Sequence, residues 1–108
     1  MEIEERLRSH IVRFALAHYD VTLDEVLSST RVRHVVHARA MIVWLARTYR
    51  PQAGFVSIGR WLGKPHQTAG DLYQTGHRLH CECPHFARGA EDFAAEYRTT
   101  MEVPYACA

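Results

Sequence analysis

Residues 57–79, with the sequence SIGRWLGKPHQTAGDLYQTGHRL, decide the predicted fold of this chain. Ile58 and Leu62 lie at helical spacing, which predicts a short helix with one apolar face. The Gly-Lys-Pro sequence of residues 63–65 interrupts that helix, and a second helix with a polar first turn follows from His66. This order of helix, short glycine-containing turn and polar helix start is typical of a helix-turn-helix that contacts the major groove of duplex DNA.

The composition of the 108 residues is that of one soluble globular domain. Hydrophobic residues make up 47% and charged residues 23%, so the chain can bury a single core. No apolar run approaches the roughly 20 residues that span a bilayer, and the acidic residues 2–5 do not resemble a secretory signal. Three cysteines, an odd number, argue against a disulfide framework and favour a reducing compartment. We therefore expect a cytoplasmic protein without a membrane-spanning segment.

Helical periodicity on both sides of residues 57–79 predicts an all-α fold, a bundle of about six helices that includes an extra C-terminal helix. Thr22 and Glu25 form the Thr-x-x-Glu pattern of a capping box, which starts a short helix. The first three predicted helices cover residues 2–18, 23–28 and 31–49, and the apolar residues 40–46 place the third, with Trp44, in the core. A break at residues 80–85, a last helix at 87–99 and a loosely held tail at 103–108 follow. We expect a helix-turn-helix domain over residues 1–80, with residues 81–108 packed on the same domain as a connector, helix and tail.

Positive charge is concentrated in the middle of the chain, although the net charge is only +1. Residues 30–70 contain no Asp or Glu, and the acidic residues lie on both sides of this segment. Such a distribution favours a face that binds phosphates, while the alternative is a solvated basic helix face. The basic residues of this segment are Arg31, Arg33, Arg39, Arg47, Arg50, Arg60 and Lys64.

Two stretches of the sequence resemble the C-terminal DNA-binding domain of the bacterial replication initiator DnaA. The first contains VTLDEVL at residues 21–27, RVR at 31–33 and RAMIVWLAR at 39–47. The second contains IGRWLG at residues 58–63 and HQT at 66–68. The resemblance covers about residues 18–79, and it implies a Trp-repressor-like helix-turn-helix that binds a short box of double-stranded DNA at replication origins.

The resemblance also implies roles for individual residues. Arg39 matches an arginine that enters the minor groove, His66 and Thr68 match recognition-helix residues that face the major groove, and Lys64 stands in for an arginine. Gln67 replaces a threonine of the family and can form a bidentate contact with adenine. The remaining arginines are expected to contact phosphates, which receive most protein–DNA hydrogen bonds. These phosphate candidates are Arg31, Arg33, Arg47 and Arg60.

Besides Gln67, two features depart from the family pattern. The turn is one residue shorter, so Pro65 stands where the family has an aspartate. Gly70 and Gly76 lie inside the recognition helix, where each costs about 1 kcal/mol of helix stability relative to alanine. Either these glycines allow DNA to approach closely, or the helix no longer binds DNA.

Two classes of function follow from these observations. The first is a standalone, nucleoid-associated DNA-binding protein that regulates replication initiation at initiator-type boxes, with a transcriptional regulator of the same fold as its variant. The second is a protein-interaction module that has lost specific DNA binding and docks a replication-initiation protein, or a second copy in a homodimer, through its C-terminal helix. Selection of binding sites from random duplex DNA distinguishes the two classes.

An enzyme is not expected, because the 108 residues contain neither a phosphate-loop motif nor a supported catalytic set. No cofactor is expected either. A group of Cys and His residues near the C-terminus has the side chains of a zinc site, but its Cys-x-Cys spacing is tight for one ion, which favours a simple connector. The zinc candidates are His77, Cys81, Cys83 and His85.

Overall fold

A computed structural model describes the backbone of residues 2–101 and the side chains of residues 5–99. Over that range the chain forms six helices and no strand, which confirms the all-α prediction. The predicted tail at residues 103–108 lies outside the described residues. The helices are α1 (Glu2–Tyr19), α2 (Leu23–Leu27), α3 (Arg33–Tyr49), α4 (Phe55–Leu62), α5 (His66–Glu82) and α6 (Pro84–Met101).

Helix α3 is the central element, and each of the other five helices contacts it. Its residues 38–43 are all buried, as expected for a segment that is apolar on most sides. Trp44 was predicted in the core but lies at the core's edge, half-buried, with its ring 4.7 Å from the ring of His80. The face of α3 beyond Trp44 therefore meets α5 rather than solvent.

The connection between α1 and α2 is fixed by local hydrogen bonds. The amide of Val21 donates to the Leu16 carbonyl at 3.0 Å and the amide of Asp20 donates to the Ala17 carbonyl at 3.3 Å, which is the Schellman pattern that ends a helix. Asp20 consequently has a positive φ of 54°. The predicted capping box of α2 is confirmed, because the Thr22 hydroxyl accepts from the Glu25 amide and the Glu25 carboxylate accepts from the Thr22 amide.

The predicted break at residues 80–85 is wrong in extent. Helix α5 continues to Glu82, and Cys83 alone separates it from α6, which starts at Pro84. Proline is favoured in a first helical turn, where its missing amide hydrogen costs nothing. Phe86 and Phe93 of α6 are fully buried in the same core as residues of α1 and α3. Tertiary packing therefore keeps α5 and α6 helical in the region where the sequence pattern predicts a break.

Gly76 lies at the closest approach of α5 to α3. A Cβ atom at this position would stand 2.8 Å from the Cβ of Trp44 and 3.1 Å from the carbonyl oxygen of Ala40. Gly70 faces the Phe55 ring at an ordinary 3.7 Å. The missing side chain of Gly76 therefore serves the packing of α5 on α3, a role that neither expectation for the glycines of α5 included. Among the described helices, none is both long and apolar enough to cross a membrane.

Candidate nucleic-acid interface

The turn between α4 and α5 is a second Schellman motif. The amide of Gly63 donates to the Arg60 carbonyl at 3.2 Å, and the amide of Lys64 donates to the Gly59 carbonyl at 2.9 Å. Gly63 has a φ of 64°, which a residue with a side chain adopts only at a cost. A Cβ atom on Gly59 would lie 2.5 Å from the carbonyl oxygen of Lys64, so the chain can reverse this tightly only over a glycine. The two glycines set the angle between the helices.

The first turn of α5 presents polar side chains to solvent. His66 and Gln67 are exposed, Thr68 is half-buried and Ala69 is fully buried. Pro65 is the N-cap, and no side chain caps the helix there. The first turn contains no acidic residue, so its unpaired amide groups carry the partial positive charge of a helix N-terminus. This end of α5 is suited to anions and to hydrogen-bonding groups on base edges.

A loop of residues 28–32, here called the arginine loop, lies beside the first turn of α5. The two elements enclose an open cleft of about 430 Å³. Arg31 is exposed at this cleft, and Arg33 is exposed in the first turn of α3. The Lys64 ammonium crosses from the turn to the loop and donates to the Ser28 carbonyl at 2.8 Å. The cleft is lined by Ser29, Thr30, Arg31, Val36, Arg39, Lys64, Thr68 and Leu72.

Arg39, which the family resemblance assigns to the minor groove, is buried in this structure, with 6% of its surface exposed. Its guanidinium donates to the carbonyl oxygens of Val26 at 2.8 Å, Thr30 at 2.7 Å, Ser28 at 2.7 Å and Glu25 at 3.1 Å. Burial lowers the pKa of Arg39 from its ordinary value. With its donors directed at the main chain, this side chain is not extended toward a minor groove.

Arg47, a predicted phosphate contact, is half-buried and packed against other parts of the chain. Its guanidinium donates to the Ala53 carbonyl at 3.0 Å and lies 4.7 Å from the centre of the Phe55 ring. The Tyr73 ring is 5.9 Å away, so Arg47 is packed between the loop after α3 and the aromatic side chains of α4 and α5. Arg60, by contrast, is exposed on α4.

The zinc candidates do not assemble into a ligand set. His85 stacks on His18 at 4.0 Å between ring centres, and its Nε2 lies 3.2 Å from the His18 carbonyl oxygen. His77 and Cys81 are exposed on α5, and Cys83 is half-buried at the junction with α6. Within the described part of the chain, no group of three or more His, Cys, Asp or Glu residues is arranged to hold a metal ion.

Sequence reasoning missed the arginine loop as a structural unit. The sequence pattern predicts a third helix that starts at residue 31, whereas α3 starts at Arg33 with Val32 as its N-cap and without a side-chain cap. Arg31 therefore belongs to the loop. The run of Ser-Ser-Thr, whose side chains compete with helical hydrogen bonds, is the signal that indicates a loop here.

A family model described as the bacterial dnaA protein helix-turn-helix matches residues 9–72. The matched segment includes most of α1, the arginine loop, the α4–α5 turn and the exposed first turn of α5. Most of α5 and all of α6 lie outside it. Searches among curated proteins and among solved structures gave no match.

Proposed function

The chain belongs to the bacterial DnaA helix-turn-helix family, and we propose that it binds double-stranded DNA sequence-specifically and regulates replication initiation at initiator-type boxes. The helix-turn-helix of this family is a DNA-binding domain. One observation carries the proposal: the exposed, acid-free first turn of α5 lies beside the arginine loop across a shared open cleft. A recognition helix and a second basic element are thus presented together.

We assign base contacts to the side chains at the start of α5. His66 and Gln67 are exposed at the helix end that enters a major groove in helix-turn-helix proteins. Gln67 has the donor and acceptor pair that matches adenine, and Thr68 can contact a thymine methyl group. Pro65 supplies neither a side-chain acceptor nor a charge where the family has an aspartate, so we expect a box that differs from the family's at the corresponding base pair.

Phosphate contacts are assigned to the exposed cations around the cleft. Arg31, Arg33 and Arg60 are exposed, and Lys64 is half-buried at the cleft wall. Helices α3, α4 and α5 all begin without an acidic residue and without a side-chain cap, so their free amide groups also attract phosphate. Helix α2, with its capping box and acidic first turn, lacks this property. Binding should therefore weaken steeply with salt.

The proposed regulation does not require ATP hydrolysis by this chain, because its 108 residues contain no phosphate-loop motif. We place its action at the boxes themselves, in competition or cooperation with an initiator protein. Action on DNA also places it with the nucleoid in the cytoplasm. A transcriptional regulator has the same surface, and mapping of bound sites in cells distinguishes the two, since the first predicts origins and the second promoters.

The test is selection of binding sites from a random duplex library at physiological salt. The expected result is one enriched motif, bound at least about a thousandfold more tightly than random duplex. The double variant H66A/Q67A should lose the motif but keep salt-dependent binding to any sequence, because the phosphate contacts remain. Arg98→Ala, which removes an exposed arginine of α6, is the matched control and should retain the motif. Equal affinity of the wild-type protein for all sequences would contradict sequence-specific binding.

A second candidate function is protein interaction through α6. This helix lies outside the family match, and its exposed Glu91, Asp92 and Glu96 favour a basic partner or the basic residues of a second copy. Analytical ultracentrifugation tests the homodimer, and pull-down with a replication initiator tests the partner. A monomer that still selects one motif would assign the function to DNA binding alone.

A further inference from the structure

We infer that Arg39 is a positioning residue for DNA binding, which holds the arginine loop beside α5 without touching DNA itself. The inference rests on the proposed DNA-binding function and concerns how the same surface is built. Both Arg39 and Arg31 line the cleft, but Arg39 is buried whereas Arg31 is exposed on the loop. Any effect of Arg39 on DNA is then transmitted by the loop.

The hydrogen bonds of Arg39 are concentrated on one short segment. Its Nε, Nη1 and Nη2 atoms donate to four carbonyl oxygens within residues 25–30, from the last residues of α2 into the arginine loop. Several other hydrogen bonds here are local, such as those from the Thr30 amide to the Ser28 hydroxyl and from the Val32 amide to the Thr30 hydroxyl. Arg39 therefore ties residues 25–30 to the central helix through its side chain.

Only arginine among the side chains can make this set of bonds. Its planar guanidinium has five donors in a fixed fork, whereas lysine has one compact ammonium group. A buried cation is tolerated when several oxygens with partial negative charge surround it, as the four carbonyls do here. Lysine at this position would keep the charge but could not reach all four oxygens at once.

The Ser28 carbonyl joins the loop to the helix-turn-helix. It accepts from Arg39 Nη2 at 2.7 Å and from Lys64 Nζ at 2.8 Å. Arg39 of α3 and Lys64 of the turn before α5 thus bind the same oxygen atom. Because of this shared acceptor, the exposed arginine of the loop is presented at a fixed distance from the recognition helix.

A double-mutant cycle between Arg39→Lys and Arg31→Ala tests the inference, with binding of the selected duplex measured by fluorescence anisotropy. Arg39→Lys should weaken binding about tenfold, the size of one charge-assisted hydrogen bond. In the Arg39→Lys background, Arg31→Ala should then have little further effect, because the loop no longer presents Arg31 correctly. Fold-losses that simply multiply would overturn the inference, since they indicate that each arginine contacts DNA independently.

The salt dependence supplies a readout that a general loss of stability does not change. Arg39→Met and Arg39→Lys should make the slope of log affinity against log salt less steep by the same amount. The expected reduction is about 0.9, the contribution of one phosphate contact, because both variants lose the contact of Arg31. A slope that falls with Met but not with Lys would show that the charge of residue 39 itself faces phosphate.

If the Arg39 variants do not fold, the wild-type protein gives the answer by nuclear magnetic resonance of its arginine Nε–H groups. The Arg39 signal should stay near its DNA-free position on addition of the selected duplex, while the Arg31 signal shifts. A shift of Arg39 as large as that of Arg31 would overturn the inference. A wild-type protein that binds no duplex would instead refute the proposed function, and this role with it.

Discussion

The side-chain ammonium of Lys64 donates a hydrogen bond to the main-chain carbonyl of Ser28, 36 residues earlier in the chain, over 2.8 Å. This contact connects the turn of the helix-turn-helix to the arginine loop. It spans the two stretches that carry the family resemblance, and it makes them neighbours at one cleft. The expected DNA-binding surface is therefore a composite of two distant sequence segments.

Replacement of Lys64 with methionine should weaken binding of the selected duplex several-fold, because the loop loses one of its two ties and the surface loses one cation. The free energy of unfolding should change by less than about 1 kcal/mol, since the bond is exposed. Anisotropy titrations and urea unfolding measure the two effects. Lys64→Arg keeps the charge and should retain most of the affinity. Unchanged binding by Lys64→Met would show that the contact is incidental.

Alanine at the two glycines of α5 should have opposite effects on stability. Gly76→Ala places a methyl group 2.8 Å from the Cβ of Trp44, and overpacking of this kind costs about 1–3 kcal/mol. Gly70→Ala meets the Phe55 ring at 3.7 Å and should stabilise the helix by about 1 kcal/mol. Urea unfolding of both variants is the measurement. Similar effects in the two variants would contradict the close packing of α5 on α3.

Tyr19→Phe should stabilise the protein. The Tyr19 hydroxyl is buried and, within the described residues, has no hydrogen-bond partner, and burial raises the pKa of this side chain. Removal of a buried, unpaired hydroxyl relieves a desolvation penalty of about 1 kcal/mol. Chemical unfolding compares this variant with Tyr97→Phe, at a half-buried position, which should change stability by less than about 0.5 kcal/mol. A destabilised Tyr19→Phe variant would indicate that the hydroxyl has a partner in solution.

Stability should decrease as the pH falls below 6.5, in part because of His37. Burial lowers the pKa of His37 below its ordinary 6.5, and the charges of Arg33 and Arg78 and the nearby His85 lower it further. Below pH 6.5 His37 is protonated in the unfolded chain but stays largely neutral in the folded chain, whose pKa is lower. Protonation therefore favours unfolding, and stability falls until the pH reaches the pKa of the folded state. His37→Gln should show a shallower fall of Tm between pH 7.5 and 5.5 than the wild-type protein. His34→Gln, at an exposed position of the same helix, is the control and should keep the wild-type slope.

Most of the helical elements could be predicted from the sequence because their signals are local. Thr22 and Glu25 sit three residues apart, and Gly63 stands between two apolar-patterned helices, so the capping box and the turn needed no tertiary information. The α5–α6 junction could not be placed in the same way. Its Cys, His and Pro residues have weak helix propensity, and the buried Leu79 and Phe86 that keep both helices intact act through contacts with distant residues.

The features of the candidate site likewise differ in whether they depend on local sequence or on tertiary contacts. Exposure of His66 and Gln67 at the start of α5 follows from the helix pattern, and the structure shows both residues exposed. Arg47 and Gly76 were given roles toward DNA because they lie in a basic segment and a recognition helix. Their actual neighbours, Phe55 and Trp44, come from other helices, so these roles could not be separated from packing before the helices were assembled.

By itself, the sequence determined six helices, the helix-turn-helix and the polar start of α5, since each depends on residues within one or two helical turns. Only the tertiary structure decided which cations face solvent. Arg31 and Arg39 have the same chemistry and lie in the same basic segment, but Arg31 is exposed in a loop, whereas the fold surrounds Arg39 with four carbonyl oxygens. A guanidinium can be hydrated by water or bound by main-chain carbonyl oxygens. The packing of α2 against α3 places residues 25–30, and their position decides which of the two environments an arginine has.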